Sequence, residues 1–117
     1  MIELVLIARL QALAGGRVFA GLAPAGTPTP RVTYAAVGFD LGLVLGGRRD
    51  GTQTGSVQVD VWADSRFEAL EVTEDLLAAM TANTGDGLVL TAINRLSDET
   101  EESTGLERVG YEFSLTL

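Results

Sequence analysis

The stretch SVQVDVWADSRFEALEVTEDLLAAM, residues Ser56 to Met80, decides the fold. Its first part alternates strictly, with Val57, Val59 and Val61 facing one way and polar or aromatic side chains facing the other. An alternation of period two predicts a half-buried β-strand over Ser56–Ala63. The sequence therefore predicts a sheet with one face turned toward an apolar core.

The second part of the same stretch predicts a helix that begins as soon as the strand ends. Asp64 or Ser65 is the expected N-cap, and Ser65 with Glu68 has the spacing of a capping box. The expected buried stripe consists of Phe67, Leu70, Thr73, Leu77, Met80 and Thr81. Two glycines within Asn83–Gly87 end the helix.

Upstream of this stretch, the chain predicts one more helix and a proline-rich connection. A helix is expected over Ile2–Ala14, with Leu6, Ile7, Leu10 and Leu13 on its apolar stripe and Gly15-Gly16 at its end. Arg17–Ala20 is a short β-prone piece, and Gly21–Pro30 contains three prolines, which predict a surface loop.

The remaining segments alternate like strands or lack any hydrophobic period. Strands are expected at Arg31–Val37, Phe39–Leu45, Leu88–Leu96 and Glu107–Leu117. Gly46–Gly55, read as GGRRDGTQTG, predicts a mobile hairpin loop, and Ser97–Leu106 predicts an acidic loop.

These elements together predict an α+β fold formed by a single domain over residues 1–117. In the order α-β-β-β-α-β-β, two helices cover one face of a mostly antiparallel sheet of about five strands, as a two-layer sandwich. The other sheet face then lacks a cover. Gln58, Asp60 and Arg95 are expected on that face, where they form a candidate subunit interface.

Composition excludes most kinds of catalytic and metal site. The 117 residues contain no Cys and no His, and all eight cations are Arg. Thiolate or imidazole metal sites, histidine bases and Schiff-base lysines are therefore excluded, and we expect no enzyme activity, no metal and no cofactor. A formal net charge of −8 disfavours binding to nucleic acid and to anionic membranes.

Carboxylates could still form two kinds of site, but each has a simpler interpretation. Asp98, Glu99, Glu101 and Glu102 could bind calcium, yet they lack the glycine and flanking helices of an EF-hand, and a solvated loop accounts for them. Asp60 with Glu68 or Glu71 could form a glycosidase pair, but the capping box and a solvent-facing helix surface explain these glutamates.

The loop Gly46–Gly55 carries the only adjacent cations in the sequence, Arg48 and Arg49, followed by Asp50. Either they are a solubilising loop tip or they bind a partner's carboxylates. We take Arg48, Arg49 and Asp50 as candidate contacts to a neighbouring subunit or to a tube, with Asp98, Glu99, Glu101 and Glu102 as candidate counterparts.

The chain resembles the tail terminator, or tail completion, family of long-tailed phages and gene transfer agents. The resemblance covers nearly the whole chain. It rests on the first helix, on RVFAGLAPAGTPTPRVTY (Arg17 to Tyr34), on the strand and helix of Ser56 to Met80, and on the final strand ERVGYEFSLTL.

This resemblance implies a subunit of a ring, commonly a hexamer, that caps the tail tube, stops its polymerisation and meets the head connector. Its partners would be other copies of itself, the tail tube protein and the head-tail connector protein, in the neck region of a virion tail assembled in the host cytoplasm. DNA would pass an acidic lumen without specific binding, and no membrane is involved. The alternatives are another head-tail joining or neck protein, or a small-molecule-binding α+β homo-oligomer.

Overall fold

The computed structural model describes residues 2–43, 49–82, 84–96, 99–100 and 104–117, and of residues 39–43, 49–52 and 99 it describes the backbone alone. The elements are α1 (Ile2–Leu10), a 3₁₀ turn (Leu13–Gly16), β1 (Val18–Ala20), β2 (Arg31–Leu43), β3 (Arg49–Ala63), α2 (Arg66–Thr81), β4 (Val89–Arg95), β5 (Glu99–Thr100) and β6 (Glu107–Thr116). Neither described helix is long and apolar enough to cross a bilayer.

The strands form one sheet in the order β1-β2-β3-β6-β4, with β5 also paired to β6. β1 runs parallel to β2, and the other pairings are antiparallel. The registers align residues in rows across the sheet. One such row contains Ala36, Val57, Phe113 and Ile93. The predicted α+β class, with two helices on one face of a mostly antiparallel sheet, is confirmed.

The core lies between the helices and one face of this sheet. Val57, Val59 and Val61 of β3 are fully buried, as their alternation predicted, and so is Phe113 of β6. Both helices contribute to the same buried cluster, through Ile2, Leu6 and Leu10 of α1 and Ala69, Val72, Leu76 and Met80 of α2. Burial of these side chains on one sheet face leaves the opposite face without a helix.

The predicted buried stripes of the helices need correction. Helix α1 ends at Leu10 rather than Ala14, and Ile7 is 39% exposed, because Ile2, Leu6 and Leu10 form the buried stripe. In α2, Phe67 is 75% exposed. The residue lies two positions before the buried Ala69, and two positions turn an α-helix by about 200°. The Ser65 cap is confirmed, since its Oγ accepts from the Glu68 backbone N–H at 3.2 Å.

Two strand boundaries also differ from the prediction. The predicted strands on either side of Gly38 are one strand, β2, with a register irregularity between Ala36 and Gly38. The predicted mobile loop Gly46–Gly55 is largely strand, since β3 begins at Arg49. Gly55 pairs with both β2 and β6, and the Gln53 side chain accepts from the backbone N–H of Ile2 at 2.7 Å. Pairing with β2, joined by β6 from Thr54 onward, outweighs the poor strand propensity of this glycine-rich segment.

Candidate assembly surfaces

The open face of the sheet carries a polar cluster centred on Asp60. Asp60 of β3 lies directly opposite Gly110 of β6, and a side chain at position 110 would place its Cβ 2.6 Å from the Asp60 Oδ1 atom. The absence of a side chain at Gly110 therefore lets the carboxylate lie flat on the sheet. Arg108 Nε donates to Asp60 Oδ1 at 3.2 Å, and Gln58 Nε2 approaches the same carboxylate at 3.3 Å.

An aromatic side chain extends this cluster along the same face. The Arg108 guanidinium carbon lies 5.2 Å from the centroid of the Trp62 ring, within cation–π distance. Trp62 Nε1 donates to Thr33 Oγ1 at 3.1 Å. The cluster is therefore fixed in place by contacts between β2, β3 and β6, and it presents Trp and Arg, residue types enriched where protein surfaces meet.

A second surface is a groove between α1 and the outer part of β2. Its volume is about 430 Å³, and its lining residues include Glu3, Leu6, Ile7, Tyr34 and Ala36. The lining is apolar except for Glu3 and the tyrosine hydroxyl. The groove lies next to the free edge of the sheet, because β1 pairs with β2 only as far as Tyr34.

Both outer edges of the sheet have strand segments that no described residue pairs with. Strand β4 bonds to β6 on its inner side, and within the described ranges nothing bonds to its outer side. Strand β2 has the same property beyond Tyr34, where β1 has ended. Exposed apolar side chains lie at both edges: Val37 on β2 is 61% exposed, and Val89 and Ile93 on β4 are 56% and 41% exposed. Unpaired edges of this kind favour association with another chain.

An ion pair ties α1 to the turn that precedes β4. The guanidinium of Arg9 donates to both carboxylate oxygens of Asp86, from Nε at 2.9 Å and from Nη2 at 2.8 Å. Arg9 Nη1 also donates to the last-turn carbonyls of α2, at 3.2 Å to Ala79 and 2.8 Å to Met80. The hydrogen bonds from Arg9, with those from Thr84 and the Leu88 backbone, hold the pKa of Asp86 well below its usual range. The same pairing raises the pKa of Arg9.

The three residues predicted on the open face do not all lie there. Gln58 and Asp60 do, on the side of β3 opposite its buried valines. Arg95 is in register with Tyr111, whose partner Val59 faces the core, so Arg95 lies on the helix side. The prediction for Arg95 is wrong because a register shift between Leu90 and Ala92 reverses the alternation of the residues that follow.

The charged loop residues lie at opposite ends of the sheet where the structure describes them. Arg49 begins β3 and pairs with Leu43, whereas Glu99 pairs with Arg108, in the row of Trp62. Strand β3 has 15 residues, so at about 3.3 Å per residue its ends are roughly 45 Å apart. Asp50 belongs to β3 by its backbone, and Arg48, Asp98, Glu101 and Glu102 lie outside the described residues.

No group of metal ligands is present among the described residues. A second depression of about 620 Å³, beside the α2–β4 turn, is lined by Arg9, Asp86 and mostly backbone or aliphatic atoms.

A family model described as "Tail completion protein gp17" matches residues 4–116. The chain belongs to this family of tail completion proteins. The predicted family resemblance is thereby confirmed. Among solved structures, a chain of "Virion of native gene transfer agent (GTA) particle" is similar, with 17% sequence identity and a TM-score of 0.56, over 98% of this chain and 92% of that chain. At this identity the similarity establishes a shared fold. No curated protein matches the chain in sequence.

Sequence reasoning on this tail completion protein missed the partners of Asp60. Gly110 lies inside the final strand, and a glycine inside a strand is a sign of close approach by another group. That signal could have located the cluster. The stacking of Arg108 on Trp62 had no such signal, because it depends on the register between β3 and β6.

Proposed function

We propose that this tail completion protein is a subunit of a ring that caps the tail tube of a phage or gene transfer agent and forms the surface to which the head connector binds. The match of the family model over residues 4–116 carries this proposal. The ring would assemble from copies of the chain in the host cytoplasm and become part of the virion neck. It would act by contact alone, without catalysis or cofactor.

The distribution of charge and of free edges supports this role. A formal net charge of −8 gives a ring an acidic surface that does not hold DNA as it passes. Within the described residues each copy has two different sheet edges without a paired strand, along β4 and along β2 beyond Tyr34, and two different complementary surfaces can close a ring. We assign the open-face cluster of Asp60, Trp62 and Arg108 to contacts with other virion proteins.

The hairpin end of the sheet is the proposed contact to the tail tube. Strand β3 extends beyond β6, because β6 ends at Thr116, opposite Thr54, and β3 continues outward to Arg49, which pairs with β2. Neighbours in a ring are related by rotation about the ring axis, so the same end of the sheet lies on the same face of the ring in every copy. Arg48 and Arg49 would therefore meet carboxylates of an adjoining tube ring rather than the acidic segment of a neighbouring subunit.

Polymerisation of tail tube protein with and without the purified chain tests the proposal. Tubes measured by negative-stain electron microscopy should stop growing when the chain is added, and each capped tube should carry extra density at one end. The Thr104→Ala variant, which changes one residue at an exposed turn, is the control and should cap tubes normally. Tubes that keep growing would refute capping. Normal tubes that fail to join heads when the chain is missing would favour a joining role instead.

A further inference from the structure

The free segments of β2 and β4 lie in the same rows of the sheet. Following the registers across β3 and β6, Val89 is level with Asp40, and Ile93 is level with Ala36. The segment of β2 left free by β1 begins just after Tyr34. Strand β4 has 7 residues, all but one of them exposed, and it is level with the part of β2 from Tyr34 to Asp40.

The directions of the two strands also fit. Strands β2, β3, β6 and β4 alternate in direction, because each neighbouring pair is antiparallel. β2 and β4 therefore run in opposite directions. A second copy that is rotated about an axis roughly parallel to the strands would bring its β4 alongside β2 in the antiparallel arrangement, which is the more stable one per residue.

Side chains at the two edges are complementary as well. Ile93 shares its row with the buried Phe113 and therefore lies on the helix side of the sheet, as does Ala36. On that side, directly beside Ala36, lies the apolar groove of about 430 Å³ that Ile7 and Tyr34 line. An isoleucine arriving next to Ala36 would enter this groove.

We propose that a second copy of this chain docks by laying its β4 along the free edge of β2, with its Ile93 seated in the groove between α1 and β2. The inference rests on the proposed ring and specifies its subunit contact. The contact is heterologous, because each copy offers its β4 edge to one neighbour and its β2 edge with the groove to the other.

Two matched substitutions separate the halves of this contact. Ile93→Asp removes the inserting side chain, and Ile7→Asp places a charge in the groove that receives it. The two isoleucines are similarly exposed, at 41% and 39%, so both variants should fold. Phe67→Asp is the control, because Phe67 is 75% exposed on the face of α2 that points away from the sheet. Circular dichroism checks the fold of each variant.

Sedimentation velocity over a concentration series gives the readout. We expect each isoleucine variant alone to lose association by roughly 10- to 100-fold or more, and Phe67→Asp to associate like the wild type. In an equimolar mixture, the intact groove of Ile93→Asp can accept the intact β4 of Ile7→Asp. The mixture should therefore form one heterodimer and nothing larger.

A site-specific cross-link locates the contact on assembled particles. The chain contains no Cys, so Ala36→Cys combined with Ile93→Cys introduces the only thiols. Oxidation on capped tubes should give a ladder of cross-linked copies, and Ala36→Cys with Phe67→Cys should not. If both aspartate variants still formed rings like those of the wild type, this contact would be overturned, but the proposed ring would not. A wild-type chain that stays monomeric in solution and on tubes would overturn both.

Discussion

Replacement of Arg9 by Met measures how strongly the helical layer is held to the start of β4. The Arg9 side chain is 5% exposed, and that of Asp86 is 25% exposed. Methionine keeps most of the aliphatic packing but removes both hydrogen bonds to Asp86 and both to the α2 carbonyls of Ala79 and Met80. The carboxylate then keeps its hydrogen bonds from Thr84 and the Leu88 backbone but loses the guanidinium, and the two carbonyls lose their bonds from Arg9.

The expected loss of stability in Arg9→Met follows from the hydrogen bonds that Arg9 makes. Breaking a buried ion pair costs about 3–5 kcal/mol, and the remaining exposure of Asp86 brings this toward the lower end, since water can solvate the carboxylate. Each of the two carbonyls loses one hydrogen bond, which adds less than about 1 kcal/mol. We expect the free energy of unfolding to fall by about 3 kcal/mol, and the melting temperature by roughly 10 °C for a domain of this size.

Urea and thermal melts followed by circular dichroism give the measurement. Arg31→Met is the control, because Arg31 Nη1 donates at 3.0 Å to the neutral carbonyl of Thr27, and the loss of this hydrogen bond should cost about 1 kcal/mol. A double-mutant cycle of Arg9→Met with Asp86→Asn isolates the pair. If Arg9→Met were no more destabilising than Arg31→Met, the pair would not hold the two elements together.

The same pair predicts a dependence on pH. The folded-state pKa of Asp86 lies below its unfolded value. The contribution of the pair is therefore fully present above the unfolded pKa, about 3.9, and is lost as the pH falls from there through the lower folded pKa. Acid unfolding of Asp86→Asn, compared with the wild type, should show a weaker pH dependence in that window.

Three further substitutions test other parts of the structure. Phe113→Asp should unfold the chain, because a charge at this fully buried position costs more than about 4 kcal/mol, and a soluble folded variant would show that the side chain does not face the core. Gly110→Ala should displace the Asp60 carboxylate and lower stability by about 1–3 kcal/mol, and unchanged thermal melts would contradict the close approach. Arg48→Glu with Arg49→Glu should leave the melting temperature of the monomer unchanged and abolish tail capping, and tubes capped at normal length would leave these arginines with a solubilising role only.

The sequence predicted those parts of the fold in which local pattern and tertiary packing agree. The alternation of Val57, Val59 and Val61 predicted the buried face of β3, and the Ser65 cap predicted the start of α2. The segment before Ser56 could not be predicted as strand, because its glycines disfavour a strand locally and it becomes one through pairing with β2, joined by β6 from Thr54 onward.

The candidate surfaces were less predictable than the fold, because they depend on which residues stand opposite each other. A single register shift within β4 places Arg95 on the helix side and Asn94 on the open side, and the sequence carries no sign of it. The level of β4 relative to the free edge of β2 likewise follows from three successive registers. Gly110 is the exception, since a glycine inside a strand is a sign of close approach by another group, here Asp60.

Cryo-electron microscopy of tails assembled with the purified chain tests the central claim most directly. The account predicts a single ring of this chain at one end of each tube, with the hairpin of β2 and β3 directed at the last tube ring and the β4 of each copy beside the β2 of the next. Copies of the chain distributed along the tube, or tubes whose ends carry none of it, would contradict the account.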